Sequence, residues 1–280
     1  MLNCGAVSGA GLNGGDWNGE GVWAIGPGGL SFAESVHSRT HYEMKLGKSI
    51  GGRPAATLHS FADWTLHANP NGGFALALQS DNGTFLVIDT SHYTIGEPEY
   101  DSATSHDVTL TGTIAGGGAM RVVGNGRVIF NSASPFTGGL TVSNAATVAV
   151  NAGCKPGGGS VLVTSGATLS LPESGVVTIP GTVTLQDNAV LSFNFTNGAE
   201  APKFAFTAGA TVPDGTAKVK VSAEGVFPRK LDGKWLIAEG VSGTFALDEG
   251  NRPTWANGVS VEGGNLYLDV KAPGLTLSVR

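Results

Sequence analysis

Across residues 107–150 small or apolar residues alternate with Thr, Ser or Asn, and the runs break at Gly-rich corners: Gly116-Gly117-Gly118, Gly124-Asn125-Gly126 and Gly138-Gly139. A period of two sends successive side chains to opposite faces of a strand. No amphipathic helix can be written on the stretch, because its apolar positions do not return every three or four residues. The pattern continues downstream. Runs at 139–142 (GLTV), 160–163 (SVLV), 182–185 (TVTL) and 203–206 (KFAF) begin about 21 residues apart, with second runs at 147–150, 168–171 and 190–195 between them. A period in the low twenties with two or three short strands per turn predicts a parallel β-solenoid. Each turn of chain cannot bury its inward face alone, so stacking must supply both the hydrogen bonds and the core. The fold class expected is all-β: a right-handed parallel β-helix with a C-terminal β cap. The expected inward positions are Leu140 and Val142, Val148 and Val150, Leu162, Leu169 and Leu171, Val183 and Leu185, then Leu191, Phe193 and Phe195. Gly and Asn at the corners admit φ > 0.

The remainder divides around this unit. Residues 1–112 read as N-terminal β-rich coils with an irregular insertion near 32–60, 113–233 as the regular repeats, and 234–280 as capping strands. Within the first part, strands are expected at 21–25, 29–32, 61–67, 74–78 and 84–89, bounded by turn clusters such as Asn69-Pro70-Asn71-Gly72-Gly73 and Asp81-Asn82-Gly83. Phe32 and Val36 could share a helical face, so the insertion predicts a short helix or an excursion loop. Strands are expected at 217–221, 234–238, 243–247, 258–261 and 265–270, where Trp235, Phe245 and Trp255 are bulkier than the small residues that dominate upstream and suit the cover of a last open layer.

Composition narrows the function. Of 280 residues 44 are Gly, and only 14% are charged, against about 7% Gly and a quarter charged in ordinary domains. A net charge of -6 offers no basic surface to a phosphate backbone, so nucleic acid is not an expected partner. No apolar run approaches the roughly 20 residues of a transmembrane helix. Residues 1–30 lack the basic start and apolar centre of a signal peptide, so either the chain is not exported or its signal and anchor are expected to lie outside this chain. Cys4 and Cys154 would sit many layers apart in a solenoid and are read as two unpaired thiols.

Candidate chemistry is sparse. All six His precede residue 113, and residues 113–198 carry only Arg121, Arg127, Lys155, Glu173 and Asp187 as charges. His37 and His41 have the i, i+4 spacing of a helical metal pair with Glu43 near, but no third ligand follows in a recognisable spacing, so neither a metal nor another cofactor is expected. Asp89, Glu97, Glu99, Asp101 and Asp107 are acidic without a calcium-loop spacing; a solvated loop is the simpler reading. Trp17, Trp23 and Trp64 are the candidate ligand-binding residues, as stacking platforms for a sugar, with core packing as the alternative. A polysaccharide-acting enzyme would draw on Asp89, Asp101, Asp107, Arg121 and Arg127, with no carboxylate pair placed opposite the arginines. There is no Gly-x-Ser-x-Gly elbow, and the Gly116–118 and Gly157–159 runs lack the Lys-Ser/Thr of a phosphate loop.

The unit itself resembles the autotransporter-associated β-strand repeat of exported bacterial proteins. Ile114-Ala115-Gly116-Gly117-Gly118 is similar to its opening strand and turn, Gly124-Asn125-Gly126-Arg127-Val128-Ile129-Phe130 to its Gly-x-Gly step, and Phe136-Thr137-Gly138-Gly139-Leu140-Thr141-Val142 to its Tyr/Phe-Thr-Gly-Gly step. Asp107-Val108-Thr109-Leu110-Thr111-Gly112 resembles the strand that precedes it, and the tail from Trp235 through Gly243-Thr244-Phe245 to Leu268 is similar to the ending of many such passengers. The likeness covers about 45 residues clearly. It implies a surface-exposed or secreted β-solenoid of structural or adhesive role, without catalytic residues, whose partners are surface glycans or proteins of a host or neighbouring cell. The chain departs from the full plan: no membrane barrel of about a dozen strands follows, and Leu277-Ser278-Val279-Arg280 lacks a terminal aromatic. A carbohydrate-active enzyme or a carbohydrate-binding module is the alternative reading.

Overall fold

The computed structural model describes residues 7–8, 22–25, 30–31, 42–46, 54–60, 62–67, 76–80, 85–92, 101–196, 201–224, 233–250 and 252–271. Among them every regular element is a strand, and no helix is long and apolar enough to cross a membrane. Short alternating runs set between Gly and Asn corners leave the backbone no length in which to wind a helix.

Two long sheets take nearly all the strands, and the chain passes back and forth between them. Among the described residues the first sheet has ten strands, all parallel to their neighbours, in the order Val7–Ser8, Leu30–Ser31, Trp64–His67, Asp107–Thr111, Arg127–Phe130, Thr147–Val150, Thr168–Leu171, Val190–Phe195, Ala217–Ala223 and Phe245–Leu247. The second sheet runs Val22–Ile25, Pro54–Ser60, Phe85–His92, Ala119–Val123, Leu140–Val142, Val161–Val163, Val183–Leu185, Lys203–Thr211 and Gly233–Ser242, again parallel. It ends in two antiparallel strands, Asn265–Val270 and then Ala256–Glu262. Asp101–Ser105 lies antiparallel beside Phe85–His92, and Val176–Ile179 parallel beside Lys203–Thr211. A smaller parallel sheet joins Tyr42–Leu46, Leu76–Ser80 and Ile114–Ala115. The described part of the 32–60 insertion is therefore strand, at Tyr42–Leu46 and Pro54–Ser60.

Register turns the sequence repeat into columns. In the first sheet Val108, Val128, Val148, Leu169, Leu191, Val219 and Leu247 stand one above another. In the second, Met120, Leu140, Val161, Val183 and Ala210 form one column, and Val122, Val142, Val163 and Leu185 another. All are buried, within one continuous apolar core that reaches from Leu58 to Val270. Hydrogen bonds carry the stacking through the corners too: the Ser143, Thr164 and Gln186 N–H groups donate to the carbonyls of Val122, Val142 and Val163 at 2.9–3.0 Å. Asn144 and Asn188 turn their corners at φ 60, a conformation Asn tolerates through its short polar side chain. At the C-terminal end the filling grows larger: Phe195 meets Trp255 edge-on at 5.4 Å and Trp235 at 5.6 Å.

One inward assignment needs correction, and one repeat spacing. Leu162 points outward. It stands in register between Thr141 and Thr184, while Val161 and Val163 take the inward columns. The pleat decides this: in Val-Leu-Val only alternate residues share a face, and both neighbouring runs place Thr at the Leu162 position. The other inward assignments are all buried. The run at 203–206 also departs from the 21-residue column. Its residues pair with Val176–Ile179, and Val183 instead meets Ala210. The extra strand Val176–Ile179 lies there, so the step between paired strands is longer than the spacing implies.

Candidate functional site

One corner, where the strand Phe85–His92 leaves the second sheet and Asp107–Thr111 enters the first, gathers most of the titratable side chains described in the N-terminal half. It begins at the end of an apolar strand. Leu86 and Ile88 face the core, and then the sequence turns polar at Asp89-Thr90-Ser91-His92. Register places His59 of the neighbouring strand beside Asp89. Their side chains approach at 3.5 Å, Nδ1 to Oδ2, at 7% and 6% exposure. Asp89 Oδ1 also accepts the Ser91 N–H at 3.0 Å. The buried Ser60 hydroxyl donates to the Asp89 carbonyl at 2.7 Å and accepts Trp64 Nε1–H at 2.9 Å. Thr90 Oγ1 donates to the Val123 carbonyl and accepts the Gly126 N–H, both at 2.9 Å. These hydroxyls satisfy backbone groups that the turning strands leave over.

Nearer the solvent, His92 Nδ1 and His106 Nε2 share a hydrogen bond of 2.8 Å, with ring centroids 5.1 Å apart and planes at 53°. The other nitrogen of His106, Nδ1, lies 3.5 Å from Asp63 Oδ1. Asp63 also accepts the Asp107 N–H at 2.9 Å, and its side chain is 74% exposed. Which ring donates in the His92–His106 bond depends on which nitrogen of each imidazole carries its proton. Arg127 completes the corner by gripping Asp107 with two donors, Nε to Oδ1 at 3.0 Å and the terminal nitrogen to Oδ2. That hydrogen bond, joined by the Asp107 and Asp63 charges, raises the Arg127 guanidinium above its ordinary range despite partial burial. Among the described residues, no group of three His, Cys, Asp or Glu is placed to hold a metal ion. Two Asp–His contacts and a His–His contact, drawn from residues far apart in sequence, lie around this corner.

The anticipated residues fare differently. Trp64 is 3% exposed and its indole N–H is taken by Ser60, so its ring packs in the core and presents no stacking face. Trp17 lies outside the described residues, as does the side chain of Trp23. His37, His41, Glu97 and Glu99 also lie outside them, with the side chains of Glu43 and Asp101. Asp89, Asp107 and Arg127 do meet at the corner. Arg121 lies over the Phe85 ring at 4.2 Å instead. His59, Asp63, His92 and His106 escape sequence reasoning because the spacing between the N-terminal strands is uneven, so no fixed period aligns them. Cys4 is outside the described residues. Cys154 is a half-buried free thiol against the core, and burial, helped by the Glu173 charge, pushes it up from its ordinary range. Compared with protein-family models, curated proteins and solved structures, the chain finds no match.

Proposed function

We propose that the chain is a right-handed parallel β-helix exposed at a cell surface or secreted, and that its role is structural or adhesive rather than catalytic. The observation that carries this reading is the column register. From Ala119 to Leu247 apolar residues stack inward layer after layer, and the outward positions between them hold short neutral side chains such as Thr141, Thr184, Ser170 and Ser192. A wall of that kind makes a long, stiff, nearly uncharged surface, suited to contact with glycans or with proteins of a neighbouring cell, and it resembles the autotransporter-associated repeat on which the sequence likeness rests. In this reading residues 1–112 form the first coils, 113–233 the regular shaft, and 234–280 the cap, with the aromatic packing of Phe195, Trp235 and Trp255 closing the last layers.

A second reading, a polysaccharide-acting enzyme on the same scaffold, is favoured by one observation: Asp63, His92, His106 and Asp107 are linked at one corner, and the buried His59–Asp89 pair sits on the strands that lead into it. A glycan-array screen with and without calcium, with every bound polysaccharide checked for cleavage, separates the two. Binding without cleavage supports the adhesive reading. Cleavage that is lost in Asp89→Asn refutes it in favour of the second.

A further inference from the structure

We propose that Asn257 is a site of spontaneous deamidation, set into the outermost strand of the C-terminal end. Asn257 and Gly258 stand in the strand Ala256–Glu262, which ends the second sheet and among the described residues pairs only with Asn265–Val270. The ladder skips one residue there. Ala256 is in register with Val270 and Gly258 with Asp269, so Asn257 is a bulge residue with no opposite number. It is exposed, and among the described residues its side-chain amide takes part in no hydrogen bond. Nothing in the fold therefore holds that amide back from its own backbone.

The Gly258 nitrogen attacks Asn257 Cγ. A C–N bond forms, the bond from Cγ to the amide nitrogen breaks, and ammonia departs with the proton that the glycine N–H gives up. Water then opens the succinimide ring at either carbonyl, giving aspartate or isoaspartate, and nothing is oxidised or reduced. Ring closure requires the backbone at Asn257 to turn until the nitrogen reaches Cγ, and Gly258 has no side chain to obstruct that turn. A strand held on one side only opens locally at lower cost than one held on both. The product sets a new carboxylate on the outermost strand near Asp269, and its isoaspartyl form adds a main-chain carbon that the ladder cannot match. The same dipeptide at Asn125-Gly126 supplies the contrast. There the Gly126 N–H donates to the buried Thr90 hydroxyl, and the Gly126 carbonyl accepts the Thr147 N–H, both at 2.9 Å. A Cβ on Gly126 would come within 2.2 Å of the His106 carbonyl oxygen. Layers on both sides hold that peptide group, and turning it breaks both bonds.

Peptide mapping by mass spectrometry tests this on the whole chain, incubated for increasing times in neutral buffer, both folded and unfolded in urea. In the folded protein Asn257 should convert at least about ten-fold faster than Asn125, and in urea the two rates should draw together, because the unfolded chain gives both dipeptides similar freedom. A folded protein in which Asn257 converts no faster than Asn125 overturns the proposal, as does a rate ratio just as large in urea. Gly258→Ala is the control that keeps the strand. Its Cβ would meet only the end of the Asp269 side chain, at 3.4 Å. It should slow conversion at Asn257 several-fold and leave Asn125 unchanged, and an undiminished rate at Asn257 refutes the assigned attack.

Discussion

Removing two carbons from Val163 should destabilise the protein more than removing three from its neighbour Leu162. Val163 is fully buried, stacked between Val142 and Leu185, whereas Leu162 faces outward between two threonines. Val163→Ala loses about 1.6 kcal/mol of transfer free energy at about 0.8 kcal/mol per carbon. The stacked layers above and below are hydrogen-bonded and cannot close on the gap, so a cavity contribution brings the total to about 2–3 kcal/mol. Leu162→Ala gives up only the apolar contact of a partly exposed side chain, about 0.5–1 kcal/mol. Urea unfolding followed by far-ultraviolet circular dichroism measures both, read as the shift of the midpoint at constant slope. Aspartate sharpens the contrast, because Val163→Asp buries an unpaired carboxylate and should fail to fold while Leu162→Asp folds. The reasoning is refuted if Leu162→Ala proves the more damaging of the alanine pair, since the pleat then runs the other way.

Close approach and buried chemistry give two further expectations. A Cβ on Gly181 would come within 1.8 Å of the Gly159 carbonyl oxygen, so Gly181→Ala must force two layers apart and should cost at least about 2 kcal/mol by the same denaturation assay. Gly117→Ala, whose Cβ would meet nothing within 4 Å, should be neutral to within about 0.5 kcal/mol. In a Cys4→Ser background, Cys154 should react with iodoacetamide several-fold more slowly than free cysteine near neutral pH, because burial and Glu173 raise its pKa and deplete the thiolate. Its rate should climb with pH beyond the point where free cysteine levels off, and Glu173→Gln should speed it.

The corner site shows where sequence reasoning stops. Asp89, Asp107 and Arg127 stand out as charges in a nearly neutral chain, and their types alone make them candidates. Their partners do not stand out: His59 lies 30 positions before Asp89, and His106 14 positions after His92, with no motif joining them. His59 and Asp89 meet because their parallel strands fall into register, and His106 reaches His92 through the antiparallel strand Asp101–Ser105. Trp64 errs in the opposite direction. Its aromatic ring invites a stacking role, but it lies in register with Val108 at the head of the first-sheet column, which puts it inside the core.

The alternation of apolar and short polar residues, with Gly and Asn at the corners, was enough by itself to establish strands, their parallel stacking, and the buried identity of Leu140, Val142, Leu169, Leu171 and Leu185. These follow from local steric preference and a two-residue period, which every short window carries. Only the tertiary structure decided that Val161 and Val163 rather than Leu162 fill the core, that the 203–206 run pairs with Val176–Ile179, and that scattered acids and histidines gather around one corner. Each depends on register between segments a full coil apart, and a shift of one residue there reverses every side chain without altering the composition of either strand.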